Sequence, residues 1–489
     1  MGTEIVNGTV PSSQRAEPGS KINLDASSLF KAPTFGPIDA WGDAKGVQFF
    51  ITFETEIGTG QGVVRLAEEE WTWKTFTVYT ALTELKAYEK PAGKRRAMGV
   101  EHGWVEFEEK DSRVLMIGAG QDGLTVAARL KMLNVDSLII DSNERVGENW
   151  HKRYHQLVLH DPIWYDHMPY IPFPLHCPVF TSKDKLGEFF ESYSSSWDDG
   201  KKQWTVTLGR KKQAHIVQAT GHSGEKNFPT IKGIPDFKGD LLCHSSKLPC
   251  ANPSSKSKKA VNFFEKGYNT TIVQRSTTCV VSSSSIADIG LKGLYEEDGP
   301  PVEDADLWLW AIPFELFKAQ QLKLTKVQNE HDKATLDGLR KAGFALDNGP
   351  DDVGLMFKYF QHGSGYYIDV DASALIAEGK IKVKQGKEIP QVLPYGLEFT
   401  DGLKLEADEI IFATRYQNMK SQARAIFGDE VTDRVGDVWE FNGQGELRTI
   451  WQRSGHPRLW FMGGNLALSR YYSRVLALQI KALEEGLTQ

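Results

Sequence analysis

The sequence predicts an α/β fold in which parallel strands carry glycine loops, preceded by a small antiparallel sheet. Three observations lead there. RVLMIGAGQDGLTVAARLKMLNVDSLIID, 113 to 141, reads as strand, glycine loop, helix, strand and terminal acid. VQFFITFET, from Val47, alternates apolar and polar residues, and GVVRLA and TWKTFTVYT come after it; such a period of two marks half-buried strands. Near the C-terminus, LWFMGGNLALSRYYSRVLALQIKALEEG passes from a buried strand through Gly463-Gly464 into an amphipathic helix.

The chain has 489 residues, too many for one hydrophobic core, so two or three domains are expected. A net charge of -7 and a pI near 6.0 supply no basic patch for nucleic acid or an anionic membrane, which leaves small-molecule chemistry. No apolar run reaches the ~18 residues of a membrane span, and MGTEIVNGTV lacks the charged start and apolar core of a secretory signal. A cytoplasmic protein is therefore expected. Cys177, Cys243, Cys250 and Cys279 form no C-x-x-C pair and no zinc spacing, so they read as plain thiols and no metal is expected.

Residues 1–45 are polar and rich in Ser, Pro and Gly, and are expected to be irregular. Residues 46–89 then carry three antiparallel strands. They resemble the terminal meander of the SnoaL-like α+β domain, without the helices that cover that sheet in the family. Residues 90–111, opening on KPAGKRR, read as a linker.

In the first glycine loop, Gly118 permits the tight turn, Gly120 lets backbone approach a pyrophosphate, and Gly123 lets the helix pack close on the sheet. The helix N-terminus offers free N–H groups and a positive dipole end to phosphate. Asp141 ends the second strand, 18 residues after Gly123, where a carboxylate accepts from a ribose hydroxyl.

The stretch beyond this acid carries a resemblance. Asp141 with VGENW, which contains Asn149 and Trp150, resembles the E-x5-G-G-x-W element of flavin-containing monooxygenases of fungal and plant YUCCA type; the family's second glycine is Glu148 here. MPYIPFP at 168 to 174 and FTSKDKLGEFFESY at 180 to 193 resemble further segments of those enzymes. HIVQATGHS, with Gly221, matches the A-T-G element where the chain crosses between nucleotide domains. FPTIKGIPDFKGDLLCHSS resembles the next block, with four residues between Gly239 and His244 where the common form has three. The C-terminal stretch closes the FAD site in the family, which makes Gly464 and Asn465 flavin neighbours by resemblance. Its helix is expected to be capped by Ser469 or Ser473, with Val475, Leu476, Leu478, Ile480 and Leu483 inward.

The second dinucleotide unit is cut. Its ends are an apolar start at Ala260-Val261, expected as a strand, and the finishing strand Thr271-Ile272-Val273 running into Arg275 and Ser276, which by resemblance clasp the 2′-phosphate of NADPH. Val114 to Asp141 spans 27 positions in the first unit, whereas Val261 to Arg275 spans 14, about half of a unit that runs to roughly 30 residues. The missing piece is the phosphate loop. Gly267 comes after NFFEK and reads as a helix C-cap, not a replacement for it. Arg415, in IIFATRYQN, stands where the family carries glycine and would crowd a close turn. At 193 to 197, ESY passes directly into SSSWDDGKKQWTVTL, where the family has another strand.

The resulting expectation is an FAD/NAD(P)-binding, Rossmann-like two-dinucleotide-domain flavoprotein preceded by a partial antiparallel-sheet domain. Residues 112–224 and 406–489 form the FAD-binding domain, and 225–405 a truncated NADP-binding and substrate region. By resemblance, NADPH reduces FAD and one atom of O2 passes to a small organic substrate, with water as the other product. The alternative is a catalytically impaired FAD-binding protein, either a decayed paralogue or the product of a mis-spliced gene model. A thioredoxin-reductase-like enzyme would need a C-x-x-C. His160-Asp161 lies where the chain is expected to pass the flavin and is a candidate to shape oxygen chemistry by hydrogen bonding, or else a structural pair; HGSGYYIDV at 362 to 370 is a candidate pocket lining, or else a turn and strand; DADLWLWAIPFELF at 304 to 317 resembles a family segment leading into the substrate region and is assigned no catalytic role. The sequence names no substrate and no oligomeric state.

Overall fold

The computed structural model describes residues 21–39, 41–96, 112–153, 157–197, 215–221, 225–246 and 256–488. The alternating N-terminal stretch forms an antiparallel sheet of β1 (Lys21–Asp25), β2 (Thr34–Pro37), β3 (Lys45–Glu54), β4 (Gly58–Glu69) and β5 (Thr72–Leu85), in the order β1-β3-β4-β5 with β2 also on β3. The last three are the expected strands. The first two correct the expectation that residues 1–45 are irregular: Asp25↔Phe50 through Lys21↔Glu54 and Thr34↔Gln48 through Pro37↔Lys45 are paired along β3. Short polar segments carry little apolar signal, but the open edge of a long strand offers them a ladder of unpaired N–H and C=O groups.

The sheet is built into the rest of the molecule. Phe50 and Val63 pack with Leu307 and Ala311 of the segment around the helix Val302–Trp310. Buried Arg65 donates to the Ala311 carbonyl at 3.0 Å, and the Tyr79 and Tyr471 hydroxyls meet at 2.6 Å.

The first dinucleotide unit folds as its motif implies. β6 (Val114–Ile117), β7 (Ser137–Ile140), β8 (His215–Gln218) and, from the far end of the chain, β19 (Leu459–Phe461) form a parallel sheet in the order β19-β8-β6-β7. The glycine-loop helix (Gln121–Lys131) and the closing helix (Leu466–Glu484) pack on it, and Val114, Met116, Val126, Val217, Phe461 and Leu476 form its core. Near-continuous apolar strands are what a parallel sheet covered by helices requires. Of the five residues expected inward on the closing helix, Leu476, Leu478 and Ile480 are buried, while Val475 and Leu483 are half-buried.

The second nucleotide region holds short parallel pairs: β9 (Leu241–His244) with β18 (Glu409–Phe412), and β10 (Thr271–Gln274) with β14 (Lys382–Gln385). β11 (Thr278–Ser282) lies between β12 (Leu346–Asp347) and β13 (Tyr366–Asp369), and β15 (Gln391–Leu393), β16 (Gly396–Glu398) and β17 (Lys404–Glu406) form a meander. The strand expected at Ala260-Val261 is instead part of the helix Lys256–Glu265. Ala260 is buried against Ile272 on that helix's inner side. The same apolar residues suit a helix face once no strand-plus-loop is present to claim them. Gly267 ends the helix as expected, at φ +87°, with Gly267 N–H on Phe264 O and Tyr268 N–H on Phe263 O, and the rings of Phe263 and Tyr268 in edge contact at 5.5 Å. This is the Schellman ending with its apolar clasp. The segment DADLWLWAIPFELF is helical, divided between Val302–Trp310 and Phe314–His331. WTVTL, Cys250, His222 and residues 97–111 of the expected linker lie outside the described residues.

Candidate dinucleotide and flavin site

The carboxyl ends of all four parallel strands open on one edge of the sheet, where open α/β sheets bind ligands. The glycine loop sits at the end of β6 with little room to spare. Gly118 has φ +116°, and a Cβ there would lie 2.4 Å from the Ala219 carbonyl oxygen; one on Gly123 would lie 1.9 Å from the Gly118 carbonyl oxygen. Both glycines are required by backbone packing, as the motif implies. Gly120 differs, because a Cβ there meets only Asn149 Nδ2, at 3.4 Å. The loop thus keeps a clear approach at the position assigned to pyrophosphate.

Asp141 binds back to this loop. Its Oδ2 accepts the Ala119 N–H at 2.6 Å, and its Oδ1 accepts the Asn143 N–H at 2.7 Å. The carboxylate is exposed and has lone pairs left for a ribose hydroxyl. The chain then turns at Gly147, φ +85°, where a Cβ would lie 2.6 Å from the Gly187 carbonyl oxygen, into the short helix Glu148–His151. Glu148, at the family's second glycine position, pairs with Lys152 at 2.5 Å and with Arg145 at 3.5 Å. Asn149 Oδ1 and Trp150 Nε1 are buried without a hydrogen-bond partner among the described residues. Buried polar atoms with unused hydrogen-bonding capacity beside an open glycine loop fit the polar groups of a dinucleotide.

The other wall comes from the chain's end. Gln121 Nε2 donates to the Gly464 carbonyl at 3.2 Å, bringing the diglycine turn against the glycine loop. Asn465 is the N-cap of the closing helix, its Oδ1 accepting the Leu468 N–H at 3.0 Å. This corrects the expected caps: Ser469 and Ser473 lie inside the helix, fully buried. Asn directly before an apolar run is the stronger cap signal. Gly221, at φ +71° with open space about it, ends the third strand of the crevice.

The sequence reading missed Asp122, Arg470 and Tyr165, and gave Ser469 only as a cap. Asp122 is buried under the glycine loop, 2.6 Å from the Ser469 hydroxyl that donates to it. Burial raises its pKa to about 7, against which the Ser469 hydrogen bond lowers it. Since the folded pKa exceeds the unfolded one, the native state holds a proton that the unfolded chain releases between about pH 4 and 7. Stability falls as pH rises through that window. Asp122→Asn is expected to flatten this profile and to raise the melting temperature at neutral pH; an unchanged profile would show that Asp122 is ionised in the fold.

Beside Asn465 lies a cavity of about 130 Å³, lined by His160, Asp161, Tyr165, Tyr366 and Ile368, and by apolar residues including Leu309, Phe317 and Met356. HGSGYYIDV, His160-Asp161 and DADLWLWAIPFELF all contribute to its lining. Burial raises the pKa of Tyr165 and Tyr366, so both keep their hydroxyl protons. Arg275 and Ser276 are elsewhere, exposed at the end of β10 and remote from the flavin-side sheet in topology. No cluster of metal-binding side chains occurs among the described residues, and Cys177 and Cys279 are free thiols.

No family model matches the chain. It is 26% identical over 348 residues to the probable indole-3-pyruvate monooxygenase YUCCA3 of Arabidopsis thaliana, covering 62% of this chain and 73% of that protein. It is 26% identical over 405 residues to the indole-3-pyruvate monooxygenase YUCCA1 of Oryza sativa subsp. japonica, covering 74% and 89%. Among solved structures, the flavin-containing monooxygenase from Stenotrophomonas maltophilia is 15% identical, with a TM-score of 0.44 over 76% of this chain and 99% of that one. No helix among the described residues is long and apolar enough to cross a membrane.

Proposed function

We propose that this chain holds FAD at the carboxyl edge of the β19-β8-β6-β7 sheet, takes reducing equivalents from NADPH, and passes one atom of O2 to a small organic substrate, water being the other product. The observation that carries the reading is the convergence of the Gly118–Gly123 loop, Asp141, the orphaned Asn149 and Trp150 atoms and the Gly464-Asn465 turn on one crevice. The relatives, named as monooxygenases, support it.

Bound FAD would supply the redox and oxygen chemistry; the protein supplies binding, orientation and a dry cavity. N–H groups at the start of the Gln121–Lys131 helix and at Gly120 would hold the pyrophosphate of bound FAD, and Asp141 would hold its ribose. The closing helix directs its positive end, capped by Asn465, toward the crevice and stabilises negative charge there. Tyr165 and Tyr366 keep their protons and can donate to a substrate oxygen, while Leu309, Phe317, Met356 and Ile368 exclude water. The lining suits a small, largely apolar substrate with one polar group.

A second reading rests on the helix at Lys256–Glu265, which occupies the place of a strand and phosphate loop. A chain without that loop lacks the backbone ligands of a second dinucleotide and would bind FAD without completing the cycle. One experiment separates the two. The purified protein is expected to be yellow and to bleach on anaerobic addition of NADPH, half-saturating toward the upper end of the usual range, ~1 mM. Flavin that resists NADPH but bleaches with dithionite would establish the second reading, and a colourless protein that takes up no added FAD would sink both.

A further inference from the structure

A second cavity, of about 140 Å³, shares Leu309 and Phe317 with the cavity beside Asn465 and is otherwise lined by different residues. Its wall is a chain of aromatic rings. Trp451 stacks on Tyr472 with centroids 3.7 Å apart and planes 9° apart; Tyr472 meets Trp310 at 6.0 Å, Trp310 meets Phe360 at 6.4 Å, and Phe360 meets Phe441 at 5.7 Å. Among the described residues that line this cavity, half-buried Glu446 is the only one with a charged side chain. Arg448 of the same loop pairs with Glu440 at 2.6 Å, and Arg474 of the closing helix lies over the Tyr471 ring at 5.2 Å; neither belongs to the lining.

The loop that supplies Phe441, Glu446 and Trp451 is held in an unfavourable conformation. Trp439, Glu440, Thr449 and Trp451 have φ of +72°, +64°, +63° and +62°, the left-handed region that residues other than glycine adopt only at a cost. Hydrogen bonds fix it there: Asn442 Oδ1 accepts the N–H groups of Gln444 and Glu446 at 2.9 and 3.0 Å, the Asn442 N–H donates to the Glu446 carbonyl at 2.8 Å, and Trp451 Nε1 donates to the Gly463 carbonyl at 2.9 Å. Gly445, at φ +79°, sits directly on Phe314, where an added Cβ would lie 2.4 Å from the ring's Cγ. Strain of this kind persists only where the surrounding structure overdetermines it, and it clusters at ligand sites. Trp310 Nε1 is buried with no hydrogen-bond partner among the described residues, which leaves one donor unused in the wall.

Aromatic faces carry partial negative charge and attract a cation that is weakly hydrated, and a carboxylate in the same wall adds to that attraction. An anion would be repelled by Glu446, and a neutral apolar ligand would gain nothing from it. We propose that this cavity binds a small quaternary ammonium compound of the choline class, its methylated head against the aromatic wall with Glu446 as counter-charge, and its hydroxyl oxygen accepting from Trp310 Nε1. The size agrees, since an apolar cavity of about 150 Å³ holds a molecule as large as benzene. A quaternary nitrogen has no lone pair to be oxygenated. The site is therefore a binding site apart from oxygen transfer, and it does not depend on the flavin reading.

The test is calorimetric titration of the purified full chain with choline and with 3,3-dimethylbutan-1-ol, which has the same shape and hydroxyl and no charge. Wild type is expected to bind choline at least about tenfold more tightly than the neutral isostere. Glu446→Gln should melt like wild type and lose most of that preference, and Trp451→Leu should weaken choline by a similar factor. Trp451 is 4% exposed, so the melting temperature of its variant is read alongside, and Glu446→Gln alone decides if the leucine variant does not fold. Equal binding of the two ligands overturns the proposal, because the cavity is then merely apolar. No detectable choline binding overturns it too, as does a choline preference that survives Glu446→Gln, which would place the site elsewhere. None of these titrations reads flavin reduction, so their failure leaves the flavin reading intact, and a protein that takes up no FAD yet discriminates choline keeps this site while losing the other.

Discussion

Gly120→Ala protein is expected to fold like its parent and to purify with little or no flavin. The backbone at Gly120 is extended, φ -80° and ψ -170°, which any residue adopts, and the nearest atom to an added methyl is Asn149 Nδ2 at 3.4 Å. Folding therefore has no reason to suffer. The methyl would stand where the loop backbone must approach pyrophosphate, and an overpacked contact of that kind costs about 1–3 kcal/mol, roughly tenfold to a hundredfold in flavin affinity. Gly123→Ala is the contrast. Its methyl would fall 1.9 Å from the Gly118 carbonyl oxygen, an impossible contact with backbone, so the glycine-loop helix must lift from the sheet. That variant should lose both flavin and thermal stability. The pair is read by flavin absorbance per mole of protein and by melting temperature. A fully yellow Gly120→Ala protein would mean that the crevice at this loop is not where the dinucleotide lies.

The difference between these two glycines is legible in the sequence, because strand, loop, helix, strand and acid in one continuous stretch set each other's geometry locally. Gly123 is pinned by the carbonyl of Gly118 inside the same motif, which carries that information without any distant partner, whereas Gly118 is also fixed by the Ala219 carbonyl at the end of β8. The C-terminal strand-loop-helix is legible for the same reason, although its cap, Asn465, lies four residues before the first serine expected there. What sequence reasoning does not reach depends on contacts between remote segments. β1 and β2 have weak apolar alternation of their own and are defined by the edge of β3. At Ala260-Val261 a family pattern places a strand. Without the loop and the rest of the unit, the same residues bury themselves as a helix face against Ile272. Asp122 lies in the glycine loop's own motif, but its partner Ser469 is 347 residues away. No local pattern announces such a pair.

Arg470 illustrates this most fully and carries the largest expected effect on stability. It lies within the apolar stripe of the closing helix, 1% exposed, and its guanidinium makes four hydrogen bonds: Nε and Nη2 each meet an Asp306 oxygen at 2.7 Å, and Nη1 donates to the carbonyls of Tyr165 and His167 at 2.7 Å. Asp306 in turn accepts from the Tyr295 hydroxyl at 2.8 Å. One side chain thus fastens the closing helix to the Val302–Trp310 helix and to the loop that brings Tyr165 to the cavity. Removing one partner of such a buried pair leaves a charge that the interior cannot solvate, at a cost of about 3–5 kcal/mol. Arg470→Met is accordingly expected to lower the melting temperature sharply and to release bound flavin at lower temperature, because the loosened loop adjoins Asn465. Burial, with the Arg470 charge second, holds His167 down near pKa about 4; loss of the arginine should let His167 titrate at higher pH. The double variant Arg470→Met/Asp306→Leu replaces the pair by apolar groups of similar volume and is expected to recover much of the lost stability. If the double variant melts as low as the single one, the four hydrogen bonds, and not the stranded carboxylate, are what hold the three segments together. If Arg470→Met melts like wild type, the ion pair does not fasten the closing helix, and its role in positioning Tyr165 fails with it.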